Sequence, residues 1–204
     1  MRKALIALDR QHVGQIGRYI TSVGAHKDID GDGKKQIHEA EAIWTARYSL
    51  STEIYLRELG HYVIPLSDGT YKERAQRFNE YHAKMGGIAI YLALHANAGG
   101  GSYGCWFYHH ASKKGPELAN SIADAMLEIV PEISHQRVKP ARPDDWTRNA
   151  LYTIKHVGAP IAICCEPFFM DNADHKKIIN KRGMNDIGLA IAKGLDRWIQ
   201  QQPR

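Results

Sequence analysis

Short apolar runs alternate with longer stretches of helical periodicity along this chain. Several of the short runs are apolar at successive positions, as strands buried on both faces of a parallel sheet are. The predicted strands are Lys3–Leu8, His61–Leu66, Ile88–Leu94, Gly104–Tyr108 and Pro160–Cys165. The predicted helices are Glu41–Leu59, Tyr71–Met85, Pro116–Ile129 and Asp186–Gln200, most of them ending at glycine or proline. Strand followed by helix, repeated, predicts an α/β fold with a mainly parallel twisted sheet and helices on both faces.

Composition favours one domain that covers residues 1–204. The 204 residues are 44% hydrophobic, which is enough for one good core, and no linker or internal repeat divides them. The net charge is +5, but the basic residues are scattered and no nucleic-acid motif accompanies them. We therefore expect no nucleic-acid partner. We also expect a monomer.

No segment of the sequence predicts a membrane span or an export signal. A bilayer-spanning helix needs about 20 apolar residues, and no stretch approaches that length. The N-terminal apolar run, Ala4–Leu8, is too short for a signal peptide and is followed at once by Asp9. We expect a protein that is made in the cytoplasm and reaches its site of action by another route.

The three cysteines predict buried, reduced thiols. Their number is odd, and the adjacent Cys164 and Cys165 point to opposite faces of a strand, so they cannot readily share a bridge or a metal. Cys105 lies in a different predicted strand.

Groups that bind metals or move protons follow three of the predicted strands. His12 comes after the first strand, His95 directly follows Leu94, and Glu166 directly follows Cys165. The carboxyl ends of parallel strands share one edge, where open α/β sheets bind ligands. Each of the eleven histidines is individually more often a surface or core residue, so it is the joint placement that predicts a site.

The helix after the first strand begins at the same edge and brings carboxylates to it. Glu39 and Glu41 lie at its start, whereas Glu53 lies twelve residues beyond Glu41, about 18 Å along a helix axis. Two histidines and a glutamate form the set that holds a catalytic zinc with one position open to water. Glu166 would then be the unligated carboxylate that takes a proton from water and returns it to a leaving amine.

Three stretches carry a resemblance to a known family. They are LALHANA (Leu92–Ala98), GCWFYHH (Gly104–His110) and EPFFMDN (Glu166–Asn172). With them the chain resembles the zinc-dependent N-acetylmuramoyl-L-alanine amidases of the Amidase_3 type, which include bacterial wall hydrolases and phage endolysins. The resemblance implies zinc ligands at His12, Glu41 and His95 and a catalytic glutamate at Glu166. Asn97, beside the second histidine, is a candidate for binding the substrate, with turn capping as the alternative.

An acidic stretch before the first long helix fits a calcium-binding pattern. Its residues match positions 1, 3, 5, 6 and 12 of the EF-hand loop: Asp28, Asp30, Asp32, Gly33 and Glu39. Lys34, at position 7, would offer its carbonyl. We predict a structural calcium loop inserted at residues 28–39, with an unliganded acidic turn as the alternative. Glu39 and Glu41 point about 200° apart on a helix, so each would serve its own metal.

The resemblance implies a peptidoglycan hydrolase that cleaves the amide between N-acetylmuramic acid and L-alanine. The predicted partner is bacterial peptidoglycan, and the expected setting is a phage endolysin that acts on the wall after release from the host cytoplasm. Two alternatives stay open. One is a zinc carboxypeptidase-like enzyme, which would release single amino acids, and the other is a non-catalytic, calcium-dependent wall-binding module.

Overall fold

A central sheet of six strands organises the described part of the chain. Our computed structural model describes residues 1–12, 15–16, 19–20, 24–25, 27–29, 32–34, 40–158 and 161–203. Its strands are β1 (Ala4–Arg10), β4 (Tyr62–Leu66), β5 (Ile88–Leu94), β6 (Gly104–His109), β7 (Gln136–Ala141) and β8 (Ile161–Glu166). The helices are α1 (Glu41–Glu58), α2 (Tyr71–Met85), α3 (Gly115–Ile129), α4 (Arg148–Ile154), α5 (Ala173–Lys176) and α6 (Lys181–Gln201). Two short segments, β2 (Gln15–Ile16) and β3 (Tyr19–Ile20), pair separately and antiparallel.

The strand order is β4-β1-β5-β8-β6-β7. Strands β4, β1, β5 and β8 are parallel, β6 runs antiparallel to β8, and β7 runs parallel to β6. The sheet is therefore mixed but mainly parallel, as predicted. The carboxyl ends of its four parallel strands lie along one edge.

Helices cover both faces of the sheet and enclose two layers of core. One layer contains α1, α3 and α6 together with side chains such as Ile6, Ile90 and Ile163. The other lies under α2 and α4 and contains side chains such as Ala7 and Tyr91. Neighbouring residues along β1, β5 and β8 alternate between the layers, which explains why these strands are apolar at nearly every position. No helix among the described residues is long and apolar enough to cross a bilayer.

The predicted elements lie where the sequence placed them, with shifts at their ends. Helix α2 has the predicted bounds because Thr70 and Glu73 form a capping box and Gly86 ends the helix at φ 63°. Helix α6 begins five residues earlier than predicted, where Asn180 accepts a hydrogen bond from the Gly183 amide.

Strand β7 was not predicted from the sequence. It is an edge strand whose first five residues alternate between partly buried and exposed, and it contains Pro140, so it has no apolar run. The short helices α4 and α5 were also missed, because they are too short to show a periodic pattern.

Candidate active site

Three predicted ligands meet at the carboxyl edge of the sheet. His12 follows β1, His95 follows β5, and Glu41 is the first residue of α1. One donor atom from each lies within 4.8 Å of the others. His95 Nδ1 is 3.1 Å from Glu41 Oε1, and His12 Nε2 is 3.7 Å from the same oxygen. The structure therefore brings together side chains that are 29 and 54 positions apart in sequence.

This cluster could hold a metal ion, and its two imidazoles and one carboxylate are donors that suit zinc. Zinc bonds of 2.0–2.1 Å at tetrahedral angles place ligand atoms about 3.3 Å apart, between the two distances observed here. His95 Nε2 is buried and has no hydrogen-bond partner among the described residues, so part of this ring's bonding capacity is unused. The His12 side chain is 21% exposed, which leaves the cluster accessible from solvent.

Backbone amides on two sides hold the Glu41 carboxylate in place. Ala96 donates to Oε1 at 3.0 Å and Ala25 donates to Oε2 at 3.1 Å, while the Glu41 amide donates to the Ala25 carbonyl at 2.9 Å. Gly24 has φ 77°, and a side chain there would collide with the carboxylate. The segment before the acidic stretch thus fixes both the start of α1 and the orientation of Glu41.

The Glu41 carboxylate and the neighbouring histidines shift one another's pKa values. Burial raises the pKa of Glu41, but the hydrogen bond and charge of His95 and the charge of His12 outweigh it, so the net pKa is lowered. Burial lowers the pKa of His95, and the Glu41 carboxylate more than reverses this, so its net pKa is raised. A divalent cation binds an ionised carboxylate and neutral imidazoles, so the lowered pKa of Glu41 suits metal binding, and a bound cation would displace the proton that Glu41 favours on His95.

Glu166 is the last residue of β8 and lies beside this cluster. Burial raises its pKa, the charge of His95 opposes the rise, and the Glu41 carboxylate reinforces it, so the net pKa is raised. The side-chain amide of Asn97 donates to Glu166 Oε2. A carboxyl group with a raised pKa, held by one donor, suits proton transfer near neutral pH.

The Glu166 loop continues alongside the segment that follows His95. Asn97 donates from its amide to the Phe168 carbonyl at 2.8 Å, and Met170 donates to the Asn97 carbonyl at 2.9 Å. Asn172 accepts from the amides of Asp174 and His175, which caps α5. The Asn97 side chain contacts Glu166 and the Ala98 amide, and its substrate-binding role stays a prediction.

A buried polar network beneath the site was missed by the sequence reasoning. Asp9, Arg74 and Gln11 are all 0% exposed. Arg74 Nη1 donates to Asp9 Oδ1 at 2.7 Å and to the Arg10 carbonyl at 2.7 Å, and Gln11 and Tyr91 both donate to Asp9 Oδ2. The signal was available, because Asp9 follows an apolar strand at the same edge as His12.

The predicted calcium loop is described only in part. Asp28 accepts from the Gly33 amide at 3.0 Å and Asp32 accepts from the Lys34 amide at 2.8 Å, so the loop closes on itself. Lys176 donates to the Asp28 carbonyl at 2.6 Å. Asp30 and Glu39 lie outside the described residues, and the calcium site stays a prediction.

Two expectations about other residues are confirmed. Glu53 lies away from the cluster and pairs with Arg57 at 2.8 Å, one turn along α1. Cys105, Cys164 and Cys165 are free and buried, and Cys164 and Cys165 belong to opposite core layers.

Comparison with known proteins gives a consistent result. Residues 21–197 match the family model Amidase_3, described as N-acetylmuramoyl-L-alanine amidase. The CwlD amidase of Clostridioides difficile, solved with the GerS lipoprotein, is similar with a TM-score of 0.71 at 19% identity over 98% of this chain and 100% of that one. The amidase AmiC2 of Nostoc punctiforme gives 0.69 at 16% identity over 98% of both chains.

A third similar structure is the catalytic domain of the CD27L endolysin, which targets Clostridia difficile. Its TM-score is 0.62 at 19% identity over 96% of this chain and 97% of that one. No curated protein matches the chain.

Proposed function

Because the chain belongs to the Amidase_3 family of N-acetylmuramoyl-L-alanine amidases, we propose that it cleaves peptidoglycan with a zinc ion held by His12, Glu41 and His95. The bond is the amide between the lactyl group of N-acetylmuramic acid and the first L-alanine of the stem peptide. The single observation that supports the zinc is the cluster of these three side chains within 4.8 Å, beside Glu166.

The side chains of this site divide the chemistry between binding and proton transfer. When bound, zinc supplies Lewis acidity and lowers the pKa of water. Glu166 accepts the proton of the attacking water on its carboxylate and donates it to the nitrogen of the leaving L-alanine, which departs as a free amine. Asn97 orients the Glu166 carboxylate through its side-chain amide.

The test is product analysis on purified sacculi, with zinc as the variable. We expect stem peptides with a free L-alanine amine, loss of activity with a chelator, and its return with zinc. His12→Ala, Glu41→Ala and His95→Ala should each bind less than one zinc per chain, while Glu53→Ala, on the same helix as Glu41, should bind a full equivalent. Release of single amino acids would indicate a carboxypeptidase, and sacculus binding without new amines would indicate a binding module.

We also propose a structural calcium ion in the loop 28–39. Its support is the acidic pattern of the sequence and the closure of the loop by Asp28 and Asp32. The loop would fix the start of α1 and so the position of Glu41.

The biological setting that we propose is that of a phage endolysin. A net charge of +5 favours approach to an anionic cell envelope, and one similar structure is the catalytic domain of an endolysin. Expression in a bacterial host together with a membrane-permeabilising protein should lyse the cells, and the Glu166→Gln variant should leave them intact.

A further inference from the structure

An arginine without an acidic partner lies beside the candidate active site. Arg137, on the edge strand β7, is exposed, and no ion pair links it to an acidic residue in the part of the chain that the structure describes. Its guanidinium stacks on the Tyr103 ring, with Cζ 3.6 Å from the ring centroid. A stacked guanidinium keeps the donors at its edge free for hydrogen bonding.

Arg137 lies in the same row of the sheet as Glu166. Cys105 of β6 pairs with Glu166 of β8 on one side and with Arg137 of β7 on the other. Directly paired residues point to the same face, and two strand spacings place the Cα atoms of Glu166 and Arg137 about 10 Å apart. Burial and the Glu166 charge raise the pKa of Cys105, while the Trp106 backbone and the Arg137 charge oppose the rise, which agrees with both charged groups lying near that thiol.

The platform under Arg137 is built from the loop that carries Glu166. The Tyr103 ring packs against Phe169 in an edge contact, with centroids 5.0 Å apart. Phe169 lies three residues beyond Glu166, is 4% exposed and forms a β-bridge with Asn97. The guanidinium therefore has a fixed position relative to the proton-transfer carboxylate, which a specificity-determining group needs.

Resting on the proposed function, we infer that Arg137 binds the α-carboxylate of the second residue of the stem peptide. In peptidoglycan this residue is D-glutamate, or D-isoglutamine where that carboxylate is amidated. An extended peptide advances about 3.3–3.6 Å per residue, so this carboxylate lies about 7 Å from the cleaved bond, within reach of the Arg137 side chain. The arginine makes the enzyme selective for stems that are not amidated, because a carboxylate is a stronger acceptor for guanidinium than a carboxamide.

The experiment compares two muropeptides that differ only in D-glutamate or D-isoglutamine at the second position. The wild-type protein should cleave the D-glutamate form with a kcat/KM about tenfold higher, mainly through a lower KM. Arg137→Gln should bring the ratio near one by slowing cleavage of the D-glutamate form alone. Arg137→Lys keeps the charge but not the planar stack, and should give an intermediate ratio.

The matched control is Lys84→Gln, which removes one positive charge from an exposed side chain near the end of α2, at the opposite edge of the sheet. It should leave the ratio unchanged. Equal cleavage of the two muropeptides by the wild type would overturn the inference, as would an Arg137→Gln variant that slows both equally. A parallel assay on sacculi separates two failures. Amidase activity on sacculi without discrimination between the muropeptides would refute only the role of Arg137. No activity on sacculi would refute the proposed function as well.

Discussion

At the scale of single residues, Glu166 has the environment of a proton-transfer group. It is largely buried, its pKa is raised, and its hydrogen bond in the described part of the chain comes from the Asn97 amide. His12, Glu41 and His95 instead present their donor atoms to a common point. The two carboxylates, Glu41 and Glu166, thus have different surroundings, because Glu41 lies between the two imidazoles and Glu166 lies beside them.

Replacing Glu166 with glutamine should abolish turnover while zinc stays bound. The variant keeps the size of the side chain but cannot accept a proton, and general acid–base catalysis contributes about a hundredfold to ten-thousandfold to such reactions. Turnover on sacculi and zinc content per chain are the two measurements. Glu53→Gln on α1 is the control and should retain both. Near wild-type turnover by Glu166→Gln would show that another group transfers the proton.

At the scale of secondary-structure elements, the ion pair between β1 and α2 fixes the strand end that precedes His12. Arg74 and Asp9 are both fully buried and 2.7 Å apart, and Arg74 also binds the Arg10 carbonyl. Tyr91 on β5 completes the network. Burial and the Asp9 charge raise the pKa of Tyr91, so it remains a donor to that carboxylate.

Removing one partner of this pair should strongly destabilise the fold. Arg74→Ala or Asp9→Ala leaves an unpaired buried charge and should lower the free energy of unfolding by about 3–5 kcal/mol. The combined Asp9→Leu, Arg74→Met variant should lose less than the two alanine variants together. Arg77→Ala, which breaks the half-exposed pair with Asp68, should cost about 1 kcal/mol or less. Urea unfolding measures the free energy of unfolding of all four variants. Equal, small losses in all four would show that the buried pair contributes little to stability.

At the scale of the whole molecule, the segment before α1 is tied to the loop that follows Glu166. Lys27 pairs with Asp171 at 2.8 Å, and Asp171 also accepts from the amides of Gly99 and Gly100. Burial raises the pKa of Asp171, but the Lys27 hydrogen bond and the two amides together outweigh burial and lower the pKa to about 2. These contacts join three regions of the chain around the site.

The contacts of Asp171 with Lys27 and the two glycine amides should be sensitive to acid. Because the pKa of Asp171 is lower in the folded state than its ordinary 3.8, its stabilising contribution is present above about pH 4 and is lost as the pH falls toward 2. The melting temperature of Asp171→Asn should therefore fall less steeply than that of the wild type over this range. Asp124→Asn, an exposed change on α3, should keep the wild-type slope. Parallel slopes for Asp171→Asn and wild type would contradict the prediction.

Calcium should stabilise the whole molecule if the loop 28–39 binds it. At a hundredfold excess over its Kd, a ligand that binds only the folded state adds about 2.7 kcal/mol through mass action. Melting temperature should rise with calcium for the wild type and stay constant for the Asp30→Ala, Asp32→Ala variant. That variant should still cleave sacculi at low temperature with zinc held constant, because Glu41 is not part of the loop. Calcium-insensitive melting of the wild type would show that the stretch is an ordinary acidic turn.

The sequence by itself determined the elements that periodicity can encode. Strands β1, β5 and β8 are apolar on both faces and helix α2 carries its own capping box, so local pattern was sufficient for them. Chemistry at strand ends placed His12, His95 and Glu166 at one edge of a parallel sheet. The choice of Glu41 over Glu53 followed from the rise of a helix over twelve residues and from the family resemblance.

Tertiary structure decided what depends on partners distant in sequence. Strand β7 forms because it pairs with β6, and β6 pairs antiparallel with β8. A local sequence pattern specifies neither pairing. The reciprocal hydrogen bonds of Glu41 with Ala25, the Asp9–Arg74 pair and the stacking of Arg137 on Tyr103 join residues 16, 65 and 34 positions apart. Such contacts depend on how elements pack, and periodicity records only which face of each element is buried.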